Sequence, residues 1–148
     1  MSLPAFTASG DLPAGIHQAT LSEVIQHFGT TSPQRLLLAH RLEYIYRITH
    51  ATNQLARFVI FGSFVTSKLN PNDVDVFMIM EDSFDIAAHT GETRWVFEHQ
   101  TAQHHLDASV FWLRRGATLG DEQNAIAHWQ IKRDGGYRGI VEIVQEPS

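Results

Sequence analysis

Two aspartates separated by one apolar residue, Asp73-Val74-Asp75-Val76, follow a glycine–serine pair, Gly62-Ser63, with nine residues between the motifs. On an extended chain, side chains two apart share a face, with α-carbons about 6.6 Å apart. Asp73 and Asp75 therefore project together, and Val74 and Val76 enter the opposite, apolar face. Two neighbouring carboxylates repel one another and raise each other's pKa unless a cation sits between them. Hard oxygen ligands at this spacing suit Mg²⁺, which takes one or two carboxylates and completes its shell with water and substrate phosphates. Gly62 and Ser63 supply the other half of the chemistry. A glycine at a strand end lets the backbone approach a ligand, the N–H groups after it can face phosphate oxygens, and the hydroxyl adds a donor. A short helix over residues 64–68 would point its positive end at the same place. The two motifs together predict a cradle for a metal-bound triphosphate.

The elements that must hold these motifs follow from periodicity and punctuation. Arg57-Phe58-Val59-Ile60-Phe61 is a β-branched and aromatic run that ends at Gly62, and residues 74–80 (VDVFMIM) form a second such run. Both motifs therefore fall at strand ends. Upstream, Thr20-Leu21-Ser22-Glu23 has the capping-box spacing and starts a short helix that ends at Gly29. Ser32-Pro33 reads as an N-cap followed by a proline at the first helical position, and Leu38, Leu42 and Ile45 recur at helical spacing. These features predict a long packing helix over residues 33–51. Residues 83–103 read as mainly helical with a break near Thr90-Gly91, and residues 106–113 (LDASVFWL) as a third strand. Gly120-Asp121 precedes a helix through about Lys132, and the turn Asp134-Gly135-Gly136 leads into a last strand over 137–144. Residues 1–19, punctuated by Pro4, Gly10, Pro13 and Gly15, read as an extended, loop-rich arm, and residues 20–148 as a single domain. The order helix, strand, strand, helix, strand, helix, strand gives an α/β (α+β) fold: a mixed β-sheet with flanking helices.

Bulk composition narrows the function classes. A chain of 148 residues fits one domain and buries about 70% of its unfolded surface, enough for a core. The formal charge of −5 argues against coating long nucleic acid, a duty that needs a basic face. The absence of cysteine excludes disulfides, thiolate zinc sites and cysteine nucleophiles. The opening residues lack a basic start followed by an apolar run, and no apolar stretch approaches the ~20 residues of a membrane-spanning helix. A soluble, cytoplasmic protein is expected. The densest histidine cluster, His104-His105-Leu106-Asp107, reads as strand, which sends neighbouring imidazoles to opposite faces and disfavours metal ligation. Arg35…His40 and Arg94…His99 both fit the R-x4-H spacing of HEPN ribonucleases, but that fold is all-helical and the strand runs contradict it. Ser63 lacks the G-x-S-x-G elbow of a serine hydrolase. Trp95, Phe97, Phe111, Trp112 and Trp129 are expected in the core or in pocket walls.

The pattern of apolar residue, Gly62, Ser63, nine residues, Asp73, apolar residue, Asp75, apolar residue resembles the polymerase-β-like nucleotidyltransferase superfamily, over roughly residues 35–113. The single-domain layout is similar to its minimal nucleotidyltransferases, many of which are antitoxins paired with HEPN-type toxins. The whole chain, from LPAGIHQAT through GSFVTSKLNPNDVDV to RGIVEIV, resembles a group of small bacterial proteins related to them. The resemblance implies the nucleotidyltransferase catalytic-core fold. It also implies transfer of a nucleoside monophosphate from a nucleoside triphosphate, ATP foremost, to a hydroxyl acceptor, with two Mg²⁺ ions. It assigns phosphate binding to Gly62 and Ser63, with Lys68 in place of an arginine found soon after the serine in minimal nucleotidyltransferases. A lysine there is a point charge, not a bidentate fork. The resemblance assigns metal binding and catalysis to Asp73, Asp75 and a third carboxylate on a neighbouring strand. Asp107 is the candidate, ahead of Asp85 and Glu92, which fall in loop or helix. In the two-metal scheme the ions sit ~3.5–4 Å apart, held jointly by Asp73 and Asp75, with Asp107 completing the catalytic one. The implied acceptor lies on a partner such as a HEPN-like toxin or another protein, presented by that partner or by a dimer mate. Two other readings stay open: a catalytically weak antitoxin that acts by binding, and a module that senses nucleotide without turnover.

Overall fold

The computed structural model describes residues 3–145. The first two residues of the arm, and residues 146–148 of the segment read as one domain, lie outside the described residues. At the centre of the sheet, Leu55–Phe61 (β2) pairs antiparallel with Val74–Met80 (β3), and Phe61 stands opposite Asp75. On its other side β3 pairs parallel with Ala108–Arg114 (β4), which sets Ser109 level with Asp75. Strand β2 also pairs antiparallel with Ile140–Ile143 (β5), which in turn pairs parallel with Ile16–Ala19 (β1). The five strands run β1-β5-β2-β3-β4, a mixed sheet flanked by helices. Residues 16–19 sit within what the sequence presents as a loop-rich arm. Their four-residue strand is too short for alternation to rise above the surrounding prolines and glycines.

The helices form where the capping chemistry predicts. Leu21–Phe28 (α1) starts with a complete capping box: the Thr20 hydroxyl accepts from the Glu23 N–H, and the Glu23 carboxylate accepts from the Thr20 N–H at 2.9 Å. Pro33–His50 (α2) starts at Ser32, whose hydroxyl accepts from the Arg35 N–H at 3.1 Å. Gly91–Phe97 (α3) and His99–Leu106 (α4) fill the 83–103 region, but α4 continues to Leu106, so β4 starts two residues later than the sequence suggests. His104 and His105 therefore lie on a helix. Glu122–Ala127 (α5) starts after Asp121 as expected but stops short of Lys132, because a 3-10 turn at His128–Gln130 and a hairpin bridge between Ile131 and Tyr137 end it. After Gly62 the chain makes one 3-10 turn, Ser63–Val65, in place of the predicted short helix.

Side-chain alternation on β3 divides the molecule into two cores. Val74, Val76, Met78 and Met80 enter the main core with Leu38, Leu42, Ile45 and Tyr46 of α2. Phe77 and Ile79 enter a smaller cluster on the opposite face, with Val59, Ile126 and Ile140 and with Phe61 and Trp129 packed against it. Asp75 begins that second stripe, so the same pleat that buries its apolar neighbours delivers its carboxylate to the thinner face. Among the described residues no helix is long and apolar enough to cross a membrane.

One buried cation ties the sheet end to α2. Arg35 is 2% exposed, and among the described residues no carboxylate pairs with it. Its guanidinium donates to the backbone carbonyls of Phe28 (3.0 Å), Phe64 (2.7 Å), Thr66 (2.6 Å), Lys68 (2.9 Å) and Ser63 (3.4 Å). It also lies 5.5 Å from the centre of the Phe64 ring. Burial pushes its pKa below the ordinary arginine value. Four of the five carbonyls belong to the connection after β2, where the arginine supplements the single 3-10 turn that also engages the Ser63 carbonyl, and the fifth, that of Phe28, ends α1. Arg35→Met is expected to lower the free energy of unfolding by at least about 3 kcal/mol, since each buried acceptor left without a donor costs about 1–3 kcal/mol. Urea titration measures it; a loss under about 1 kcal/mol would show that water replaces the guanidinium freely.

Candidate functional site

Gly62 closes β2 with φ +79°, a left-handed conformation that L side chains rarely adopt. A Cβ at this position would also overlap the Asp75 carboxylate. Two independent constraints, backbone conformation and close approach, therefore demand glycine here. The turn that follows is internally fixed: Val65 N–H donates to Gly62 C=O at 3.3 Å and the Thr66 hydroxyl to Ser63 C=O at 2.7 Å. Asp73 precedes β3 and Asp75 is its second residue, both half-buried. The Ser109 hydroxyl, reaching across from β4, donates to Asp73 Oδ2 at 3.2 Å.

The electrostatics of the pair are unfavourable as they stand. Burial first, and the Asp73 charge second, push the Asp75 carboxyl up to about 6 from its ordinary value near 4, against the opposing pull of Ser109, Arg138 and Arg133. Other shielded acids of this protein are compensated. The Glu142 carboxylate takes Arg57 in a fork, at 2.7 Å from the second guanidinium nitrogen, and Asp11 faces Lys132 at 3.1 Å. Among the described residues Asp75 forms no such ion pair. An acid pair held together against its own repulsion, opening onto a cavity, is an arrangement that a cation would relieve.

That cavity, of about 690 Å³, falls in the range of small-molecule sites. It brings together Gly62, Ser63, Lys68, Asp73 and Asp75, all read from the sequence as site residues. Asp107 does not join them. It caps α4 in a left-handed conformation (φ 48°, ψ 47°), its side chain is exposed, and it is not among the residues that line the cavity. What it gives the site is a backbone carbonyl, which accepts from Val74 N–H at 3.2 Å and starts the β3–β4 pairing. The neighbour level with Asp75 is Ser109, a hydroxyl where a third carboxylate was expected. Among the described residues no group of three or more acidic or histidine side chains could hold a metal ion. The donor set present, two carboxylates with an adjacent hydroxyl, fits one hard cation that keeps water and ligand oxygens in its shell, and does not fit the two-ion arrangement.

Sequence reasoning missed one further group at this site, and a second, of which it had read Phe111 and Trp129 as core or pocket wall, it did not place beside the motifs. Residues 130–138 fold as a hairpin, with Lys132 N–H bonded to Gly136 C=O (2.7 Å) and Arg138 N–H to Gln130 C=O (3.0 Å). It places Lys132, Arg133 and Arg138 on the cavity wall. The Asp134-Gly135-Gly136 turn was visible in the sequence, but nothing local says which surface a turn will face. Phe61, Phe111 and Trp129 form the other addition, an aromatic wall with Trp129 centred 4.5 Å from Phe61 and 5.0 Å from Phe111. Phe61 and Asp75 oppose each other in the register, which a paired-strand alignment of the two runs would have revealed. The N-terminal arm reaches both sides of the cavity. Gly10 C=O accepts from Ser67 N–H at 2.8 Å beside the glycine–serine turn, and Leu12 C=O from Gly139 N–H at 2.9 Å beside the hairpin.

The chain belongs to a family described as "Family of unknown function (DUF6932)", whose model matches residues 4–144. No curated protein and no solved structure matches it.

The raised Asp75 carboxyl makes a stability prediction. An acid whose folded-state pKa stands above its unfolded value disfavours folding once it must ionise; the penalty is absent below about pH 4 and complete above about pH 6. Asparagine has no such penalty. At pH 8, Asp75→Asn is therefore expected to be more stable than the parent by on the order of 1–3 kcal/mol, with the difference shrinking toward zero near pH 4. Saturating Mg²⁺ should narrow the gap at pH 8 by favouring the ionised pair. Urea unfolding at the two pH values measures all three quantities, and a gap independent of pH contradicts this account.

Proposed function

We propose that this chain binds a nucleoside triphosphate together with Mg²⁺ and transfers its nucleotidyl group to a hydroxyl acceptor. The observation that carries this reading is that one cavity holds two chemistries, the glycine–serine turn with the acid pair and an aromatic wall. A nucleoside triphosphate joins the same two, a polyanion and a planar base. Inorganic phosphate or a sugar phosphate would leave Phe61, Phe111 and Trp129 without a role, and base–aromatic stacking is worth about 1–3 kcal/mol per base.

Each group then has a task. The missing side chain of Gly62 leaves the Asp75 carboxylate its place on the cavity wall. The Ser63 hydroxyl and the N–H groups at the start of its turn, ahead of Val65, donate to phosphate oxygens, and Lys68 adds charge. Mg²⁺ held by Asp73 and Asp75 would relieve their repulsion and neutralise phosphate charge. In the transfer, the acceptor hydroxyl oxygen bonds to the α-phosphorus, the bond from that phosphorus to the α–β bridging oxygen breaks, and pyrophosphate leaves with the electron pair. The hydroxyl proton passes to the carboxylate pair. ATP is the first substrate to try, and the acceptor lies on a partner protein, with a HEPN-like toxin or a second copy of the chain as the first candidates. This reading calls for the cytoplasm, where triphosphate and Mg²⁺ meet.

Ser109 favours a second reading. With a hydroxyl level with Asp75 in place of a third acid, the site is composed to hold a triphosphate with one cation. Binding without turnover, in a nucleotide sensor or in an antitoxin that neutralises by contact, needs no more than that. The two readings part on one experiment. The chain is incubated with Mg²⁺, a lysate and α-labelled ATP, GTP, CTP or UTP, and labelled acceptor and pyrophosphate are measured. Transfer predicts both products, falling to background in the Asp73→Asn, Asp75→Asn double variant. Calorimetric binding of Mg·ATP without pyrophosphate selects the sensor or antitoxin, and absence of binding removes both.

A further inference from the structure

The hairpin at residues 130–138 contributes three cations to the cavity, beyond the phosphate contacts assigned to Gly62, Ser63 and Lys68. Lys132 and Arg138 are half-buried, with 28% and 26% of their side chains exposed. Both face Asp11 of the arm: Lys132 Nζ lies 3.1 Å from Oδ2, and one Arg138 guanidinium nitrogen lies 3.6 Å from Oδ1. Asp11 is itself only 8% exposed and is held by the Ser9 hydroxyl at 3.3 Å. It does not line the cavity, so it grips the two cations from behind while they line the wall in front. Arg133, at the exposed bend between them, lines the same wall and has no ion pair among the described residues. The hairpin is rigid for its length. Gly135 takes φ +87°, Asp134 Oδ1 accepts from Gly136 N–H at 2.8 Å, and Gly15 N–H anchors the hairpin base through Gln130 Oε1 at 2.6 Å.

This geometry is costly without a ligand. Three like charges line the cavity, and a single carboxylate forms ion pairs with two of them. The acid pair lines the same cavity, and the pull of Arg138 and Arg133 on Asp75 does not offset its burial and the Asp73 charge. A polyphosphate bridged to a cation answers both: the metal takes the acids, and the outer phosphates take the cations. We propose that the 130–138 hairpin is the outer-phosphate grip of this site, with Lys132, Arg133 and Arg138 as its donors, and that Asp11 is the residue that positions Lys132 and Arg138. The proposal rests on the triphosphate reading above, and names residues that neither the glycine–serine motif nor the acid motif contains.

The probe is inorganic tripolyphosphate with Mg²⁺, titrated calorimetrically into the full chain, since it carries the phosphates without the base. Arg133→Gln, at an exposed bend, is expected to weaken binding by about tenfold or more, the usual worth of a charge-assisted contact. For Asp11→Asn the two roles open to it predict opposite signs. If Asp11 only offsets charge, removing its negative charge strengthens anion binding. If it positions the cations, binding weakens by at least about threefold, and Asp11→Glu recovers part of it. Unchanged affinity in Arg133→Gln overturns the hairpin grip while leaving the triphosphate reading intact, provided the parent chain binds. Tighter binding by Asp11→Asn overturns the positioning role. No binding by the parent chain, for tripolyphosphate and Mg·ATP alike, overturns the triphosphate reading and the grip together. Should Asp11→Asn not fold, Arg133→Gln still decides the grip.

Discussion

A single guanidinium, that of Arg35, sets the geometry on which the cavity is built. Between the end of β2 and the start of β3 the chain has to leave the sheet, turn beneath the ligand space and return with both aspartates on one face. A loop doing this inside the protein strands its carbonyls away from water, and ordinary secondary structure cannot satisfy them without straightening the turn. Five donors in a fixed plane solve that problem from one side chain. Lysine, with three donors on a flexible stem, could not reach the same set at once. The cation sits under the turn and not in the cavity, so its contribution is shape, with the charge offset by carbonyl dipoles.

Above that platform, the site follows from the pleat of β3. Alternate residues supply the main core, and the remaining ones form a stripe that starts with a carboxylate and continues with Phe77 and Ile79. The aromatic wall of the cavity adjoins that stripe, with Phe61, level with Asp75, and Phe111 added by the neighbouring strands and Trp129 packed against both. A slip of one residue in the β2–β3 register would send Asp75 into the core and Val76 into the cavity. In the register observed, position 62 must be glycine, because a Cβ there would collide with the Asp75 carboxylate.

Much of this was legible in the sequence where chemistry is local. Thr20 with Glu23, and Ser32 with Pro33, announced α1 and α2 to within a residue or two, because capping is decided by neighbours. The β3 run was read to its exact ends, since VDVFMIM carries both alternation and continuous burial. The spacing of Gly62-Ser63 from Asp73 and Asp75 foretold their convergence for the same reason, the connection being too short to go elsewhere. Asp107 shows where such reasoning stops. His104-His105-Leu106 has no strong preference, and tertiary packing of Ala102 and Leu106 extended the helix, leaving the aspartate at its left-handed cap. Arg35 was noticed only as part of a two-residue spacing, because a side chain that bonds to backbone leaves no complementary residue in the sequence to pair it with. Lys132, Arg133, Arg138 and Asp11 escaped because their meeting depends on contacts more than a hundred positions apart.

That separation bears on how the molecule comes into being. Asp11 and Lys132 are 121 positions apart, and β1 finds its partner only in β5. Loop-closure entropy falls on such contacts before they return any free energy, so they belong to the slow, late part of folding. On a ribosome the helical layer and the β2–β3 pair can form while the hairpin is still inside the exit tunnel. The acids are therefore present before the opposing cations, and the cavity gains its second wall only when the two far ends of the chain meet.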